Sequence, residues 1–242
     1  MFKACSIEIL KTKRTIIRKL TWIFPILVAV VTSLFFASTG YVIQSIINQW
    51  SFIWINLFLA LMIGLIDRHE ENSTEYKMIL SSPANLSQYE LGRILHSSFL
   101  SLITACVLSI LVILGSSFMT IKISLMACLG AIFGIFIATL WEIPLYSWLS
   151  RITNLYVSIA IAFIGSLVGI FVNSSSIGKI FPFNWSSLLP VSLIQMHVNG
   201  LLVKSSENVP NSYWTIAASI VLFIILSCIS AASFKKQVIK ND

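Results

Sequence analysis

The sequence predicts an all-α integral membrane protein. It has six transmembrane helices, cytoplasmic N- and C-termini, an N-terminal amphipathic interfacial helix, and an apolar outer segment between spans five and six. Three observations predict this. First, 57% of the 242 residues are hydrophobic and only 10% are charged, against about 25% charged in soluble domains, and the mean hydropathy is +0.91. Second, apolar runs approaching the roughly 20 residues a spanning helix needs recur six times, leaving no room for a sizeable soluble domain. Third, Lys and Arg in alternate connections divide 13 to 3, with the richer set including both termini, and the positive-inside rule puts that set in the cytoplasm. The net charge of +7 is therefore a topology signal, and nucleic acid is not an expected partner.

Residues 1–20 are too charged for a signal peptide. Phe2, Cys5, Ile9, Ile16 and Leu20 share one helical face opposite Lys3, Lys11, Arg14 and Arg18, with Lys13 the exception, so a helix is expected along the inner membrane surface. A basic tail with incidental periodicity is the alternative. Residues 21–242 form one membrane domain with spans at about Thr21 to Ile43, Trp50 to Ile66, Ile94 to Leu114, Ile123 to Leu149, Leu155 to Val172 and Tyr213 to Ser233. Pro25 is placed near the inner end of the first span, where a missing N–H costs least. Gln44 to Gln49 is read as a short outer turn, with Trp50 and Trp54 at the outer interface.

Residues 67–93 are the one large polar island and hold five of the nine acidic residues: Asp67, Glu70, Glu71, Glu75 and Glu90. Asn72 with Glu75 resembles a helix start, and Tyr76, Ile79 and Leu80 give that short helix an apolar stripe before Pro83 ends it. Ser87 with Glu90 forms a capping-box pattern, flanked by Leu86 and Leu91 at the staple positions, so a second helix is expected to run into span three. The island thus reads as helix, turn, helix; a merely solvated connector is the alternative.

At these residues the chain resembles an ABC-2 type permease, the membrane subunit of an ABC transporter. The pattern is carried by Glu71, Ser73, Thr74, Lys77, Leu80, Ser82, Pro83 and Arg93, although family members often have Gly before the Thr and Lys near the end. The size, the Lys-Thr-Lys-Arg start and the segment Phe181-Pro182-Phe183-Asn184-Trp185 resemble lantibiotic-immunity permeases of Gram-positive producers. The resemblance implies a multi-pass plasma-membrane protein that exports an antimicrobial peptide from the bilayer. It also implies a second permease subunit and a separate ATP-binding subunit that hydrolyses ATP, contacted through Glu71, Thr74, Glu75, Tyr76, Lys77, Ile79 and Leu80.

Further along, Cys5, Cys106, Cys128 and Cys228 show no metal or redox spacing and read as small packing residues. Gly130 and Gly134 have the spacing that lets helices approach closely. Glu142, in Leu-Trp-Glu-Ile-Pro, lies in the inner half of span four, where an ionisable group is a functional candidate. Two other readings stand beside that one: a position near the inner interface, or a pair with Arg151. Residues 173–212 form the longest connection and are strongly apolar, and Pro182 and Pro190 are expected to interrupt any continuous helix. By resemblance they dip into the outer leaflet, where Phe181, Phe183 and Trp185 line an outer gate or touch substrate; a passive interfacial cap is the alternative.

Catalytic readings fail on the residues. In His69-Glu70-Glu71-Asn72-Ser73 a serine replaces the second histidine of a zinc-protease helix, and Glu75 replaces the Arg expected of a prenyl-type membrane protease. No phosphate loop Gly-x-x-x-x-Gly-Lys-Ser/Thr is present, so this chain is not expected to be the ATPase, and no cofactor or metal is expected on it. Another ABC-2 drug or ion exporter and a secondary transporter are the alternative functions.

Overall fold

Long apolar segments in which every backbone group must find an internal partner give long helices, and the breaks between them fall where local chemistry stops the backbone ladder. A computed structural model describes residues 2–74, 76, 85–119, 121–173, 175–204 and 212–240. Helix α1 (Phe2–Thr12) is followed by a turn at 13–15 and then α2 (Ile16–Phe36), so the first span begins five residues before the predicted Thr21. Pro25 occupies the interior of α2, not its end; the carbonyl of Thr21, four residues earlier, loses its usual donor there.

A turn containing Gly40 (φ +70°) leads to α3 (Val42–Gln49), a one-turn π segment (Trp50–Trp54) and α4 (Ile55–Thr74). These run together as one 32-residue element, Val42–Ser73, about 48 Å long. Residues 44–49, expected as a turn, are therefore the start of the second span. The polar side chains of Gln44, Ser45 and Asn48, which suggest a turn, are buried against the protein. Trp50 is only 1% exposed and packs edge-on to Phe24, so it sits in the core and not at an interface.

Helix α5 (Leu86–Ser116) begins at Asn85, whose side chain accepts the Ser87 and Gln88 N–H groups. The predicted capping box from Ser87 to Glu90 does not form, because Asn85 supplies an equally good cap and Glu90 is engaged elsewhere. Nor does Asn72 start a new helix; it lies in the last turn of α4.

The fourth span is broken. Helices α6 (Leu125–Ala138) and α7 (Glu142–Ile152) meet at a 40° bend. Pro144, third in α7, explains the break: in a first turn its missing N–H costs nothing, whereas in a continuous helix its ring would clash with the Leu140 carbonyl. Short i→i−3 hydrogen bonds, Glu142 N–H to Thr139 and Ile143 N–H to Leu140, carry the chain across.

Helix α8 (Leu155–Val172) is capped by Asn154. Three short pieces follow: α9 (Ser176–Ile180), a 3₁₀ turn (Pro182–Asn184) and α10 (Trp185–Ile194), which ends at Gln195 in the left-handed region (φ +51°). Pro190 does not interrupt α10, contrary to expectation. Helix α11 (Trp214–Lys240) closes the chain. Among the described residues five helices are long and apolar enough to cross a membrane, six counting α6–α7 as one span. The second span is the axis of the bundle: 61% of its apolar window is buried, against 28% for α2 and for α11.

Candidate functional site

The two ends of the bundle differ chemically. At one end, here the ionic end, charges from three helices meet away from solvent. Asp67 closes the apolar part of α4, Glu90 and Arg93 lie one turn apart near the start of α5, and Arg151 ends α7; none is more than 6% exposed. Arg93 donates to Asp67 and lies 3.5 Å from Glu90, while Arg151 lies 2.7 Å from Glu90 and 4.0 Å from Asp67. Hydroxyls complete the network: Ser147 and Ser230 each donate to Glu90 at 2.8 Å, and Ser150 donates to Asp67. Arg151 in turn donates to Ser230 of α11 at 2.7 Å and stacks over Phe234. Two carboxylates and two guanidiniums make the group neutral, the condition under which buried charge is tolerated.

A second group adjoins it and holds α1 in place. Lys11 bonds Glu70 at 2.6 Å and Glu8 at 3.1 Å, and Tyr89 donates to Glu8 at 2.6 Å. Thr12 meets His96 at 3.0 Å. Helix α1 therefore turns a polar face to the protein and leaves Ile7, Ile9 and Leu10 outside. Ile9 is the residue of the predicted apolar face that lies outside with Ile7 and Leu10, while Ile16 and Leu20 belong to α2 across the turn and Lys11 lies on the packed side. Burial, and after it the Glu8 carboxylate, push the Cys5 thiol up, which makes it a poor nucleophile.

Between α4 and α5 runs the polar connection. Of the residues predicted to meet an ATPase, Glu71 is exposed at the end of α4 and Thr74 is its last residue, while Glu75, Lys77, Ile79 and Leu80 lie outside the described residues. Tyr76 is placed differently from the exposed stripe expected of it. It is 8% exposed with φ +59°, donates to the Asp67 carbonyl at 3.4 Å and packs edge-on to Phe234. Burial chiefly, with Asp67 second, pushes its phenol up, so it stays neutral.

The opposite end is built by the segment after α8. Phe183 rests on α8 at Gly165, where an added Cβ would lie 2.8 Å from its ring, and α10 then packs along α6, Leu189 against Gly134. Phe181, Phe183 and Trp185 do come together, joined by two residues the sequence reading missed. Trp141, at the helix break, lies edge-on to Phe183 (5.0 Å) and near Trp185 (6.3 Å), and Trp214 of α11 completes the group. The aromatic segment thus reaches the level of the break between α6 and α7. Gln44 and Asn48, four apart on α3, donate to the carbonyls of Ile194, His197 and Val198 and pin the return of this segment.

Glu142 is 1% exposed, and its Oε2 has no hydrogen-bond partner among the described residues; the same holds for the Tyr146 hydroxyl and the Trp141 indole N–H. It does not pair with Arg151, whose carboxylate partners are Glu90 and Asp67. Among the described residues no three His, Cys, Asp or Glu side chains converge as metal ligands. Comparison with family models, curated proteins and solved structures gives no significant match.

Proposed function

We propose that the protein is the membrane-spanning permease subunit of an ABC transporter, which removes an antimicrobial peptide of the lantibiotic class from the plasma membrane and protects the producing cell. The observation that carries this reading is the anchoring of the polar connection. Asp67 precedes it, Glu90 and Arg93 follow it, and the buried network ties both sides to α7 and α11. A force applied to the connection by a soluble partner is thereby delivered to four helices at once, which is what converting ATP hydrolysis into helix movement requires. The aromatic segment at the far end suits the exit of an amphipathic peptide, with Trp and Phe offering apolar area beside polar edges. In this arrangement the ionic end faces the cytoplasm, in keeping with the distribution of Lys and Arg.

The test is purification of the tagged chain from its host membrane. A stoichiometric ATP-binding subunit is expected, together with loss of peptide resistance when that subunit's nucleotide site is disabled. Full transport by the chain alone, driven by a proton or sodium gradient, would overturn the reading. That outcome would favour a secondary transporter, for which the broken span with Glu142 at its break is the supporting feature.

A further inference from the structure

The corner between α1 and α2 holds a cavity of about 340 Å³, lined by Lys13, Arg14, Thr15, Arg18, Lys19, Trp22 and Ile23. Four of its seven lining residues are cationic, none is acidic, and all four cations are exposed. No salt bridge involves any of them among the described residues, unlike Lys11 two positions before Lys13, which is held by Glu8 and Glu70. Folding has therefore neutralised one side of this corner and left the other with unopposed positive charge.

The charges are also layered. Arg18 and Lys19 stand one helical turn before Trp22 and Ile23, so on the surface of α2 a cationic tier sits directly above an apolar one. Trp22 and Ile23 are 52% and 53% exposed, and the apolar surface continues down the helix through Ile26, Leu27 and Val30. Lys13 and Arg14 close the cationic tier from the turn. Thr15 does not cap α2: its hydroxyl donates to the Thr12 carbonyl at 2.9 Å, which leaves the positive N-terminal end of α2 without a side-chain cap. A ligand matched to this surface carries a negative phosphate at one end and a hydrocarbon chain at the other.

We propose that this corner is a binding site for the headgroup of an anionic phospholipid, with the phosphate held by Lys13, Arg14, Arg18 and Lys19 and the first acyl carbons laid against Trp22 and Ile23. The inference rests on the chain lying in a bilayer and is independent of what it transports. A soluble acidic protein or a free phosphate ion would use the cations but leave the apolar tier unmatched. The volume stands at the lower end of the roughly 300–1,000 Å³ usual for small-ligand clefts, enough for a glycerophosphate group. The lipid would fix the hinge at 13–15 and with it the angle between interfacial helix and first span.

The experiment is native mass spectrometry of the full-length protein in detergent, with dioleoylphosphatidylglycerol and dioleoylphosphatidylcholine added at equal concentration. Wild-type protein is expected to retain the anionic lipid at least fivefold over the zwitterionic one. The combined change Lys13→Gln, Arg14→Gln, Arg18→Gln, Lys19→Gln should abolish that preference, whereas exchanging Lys for Arg and Arg for Lys at the same positions should keep it. Because all four side chains are exposed, neither variant disturbs packing. Removing Lys235, Lys236 and Lys240 instead should leave the preference intact, and millimolar inorganic phosphate should not compete. Equal retention of both lipids by wild type, an unchanged preference in the glutamine variant, or an equal loss on removing the C-terminal lysines would overturn the proposal. Displacement by free phosphate would overturn it in favour of a soluble-anion site.

Discussion

Arg93 is a guanidinium at 2% exposure whose charge is balanced by Asp67 on a neighbouring helix, and the energetic weight of such a pair shows when one member is removed. Stranding one charge costs about 3–5 kcal/mol, whereas replacing both by neutral groups of similar shape is often close to neutral. Asp67→Asn and Arg93→Gln are each expected to lower the thermal midpoint of the detergent-solubilised protein sharply. The double variant should recover a good part, with a coupling energy within the ~0.5–3 kcal/mol seen for contacting groups. Strict additivity would show that the pair does not act as a unit. These charges were plain in the sequence, but their partnership was not. By sequence Asp67 and Arg93 read as parts of a loop and Arg151 as one partner for Glu142, because pairs between distant positions leave no periodic trace.

Among the elements, the 3₁₀ turn packs closely against α8. Gly165 leaves room for the Phe183 ring, and an alanine Cβ would intrude to 2.8 Å. Overpacking of this kind costs about 1–3 kcal/mol. Gly165→Ala should therefore loosen the far-end segment, read as faster proteolysis within residues 173–212 of the reconstituted protein, and adding Phe183→Ala should restore resistance. If the single variant is cleaved no faster than wild type, the contact does not hold the segment. The start of span five at Leu155, after the Asn154 cap, is legible in the sequence, whereas the predicted first span runs past Gly40 to Ile43 although α2 ends at Phe36. Boundaries are misread where polar residues serve tertiary contacts. Gln44 and Asn48 looked like a turn because their use, holding the carbonyls of Ile194, His197 and Val198, exists only once the far-end segment has folded against them.

For the whole molecule, composition and apolar length were enough to read an all-helical chain, since hydrocarbon leaves a helical backbone few alternatives. Among the described residues five helices have membrane length, six counting the bent pair α6–α7 as one span. The break at Glu142 departs from the single span expected over Ile123 to Leu149. The packing of Phe183 and Trp185 against Trp141 was not legible, since a proline marks where a helix can bend and not what packs into the bend. Orientation is tested directly. With the native cysteines replaced, a cysteine at position 74 is expected to resist an impermeant thiol reagent in intact cells and to react in inverted vesicles, and the reverse pattern would invert the molecule. The ionic network also sets an order of events during synthesis. Asp67 enters with the second span and Glu90 and Arg93 with the third, which leaves one excess carboxylate until Arg151 emerges, and the hydroxyl of Ser230 arrives only with the final helix. A nascent chain halted after the third span would thus hold one carboxylate without its guanidinium, and the group reaches charge balance once α7 is made.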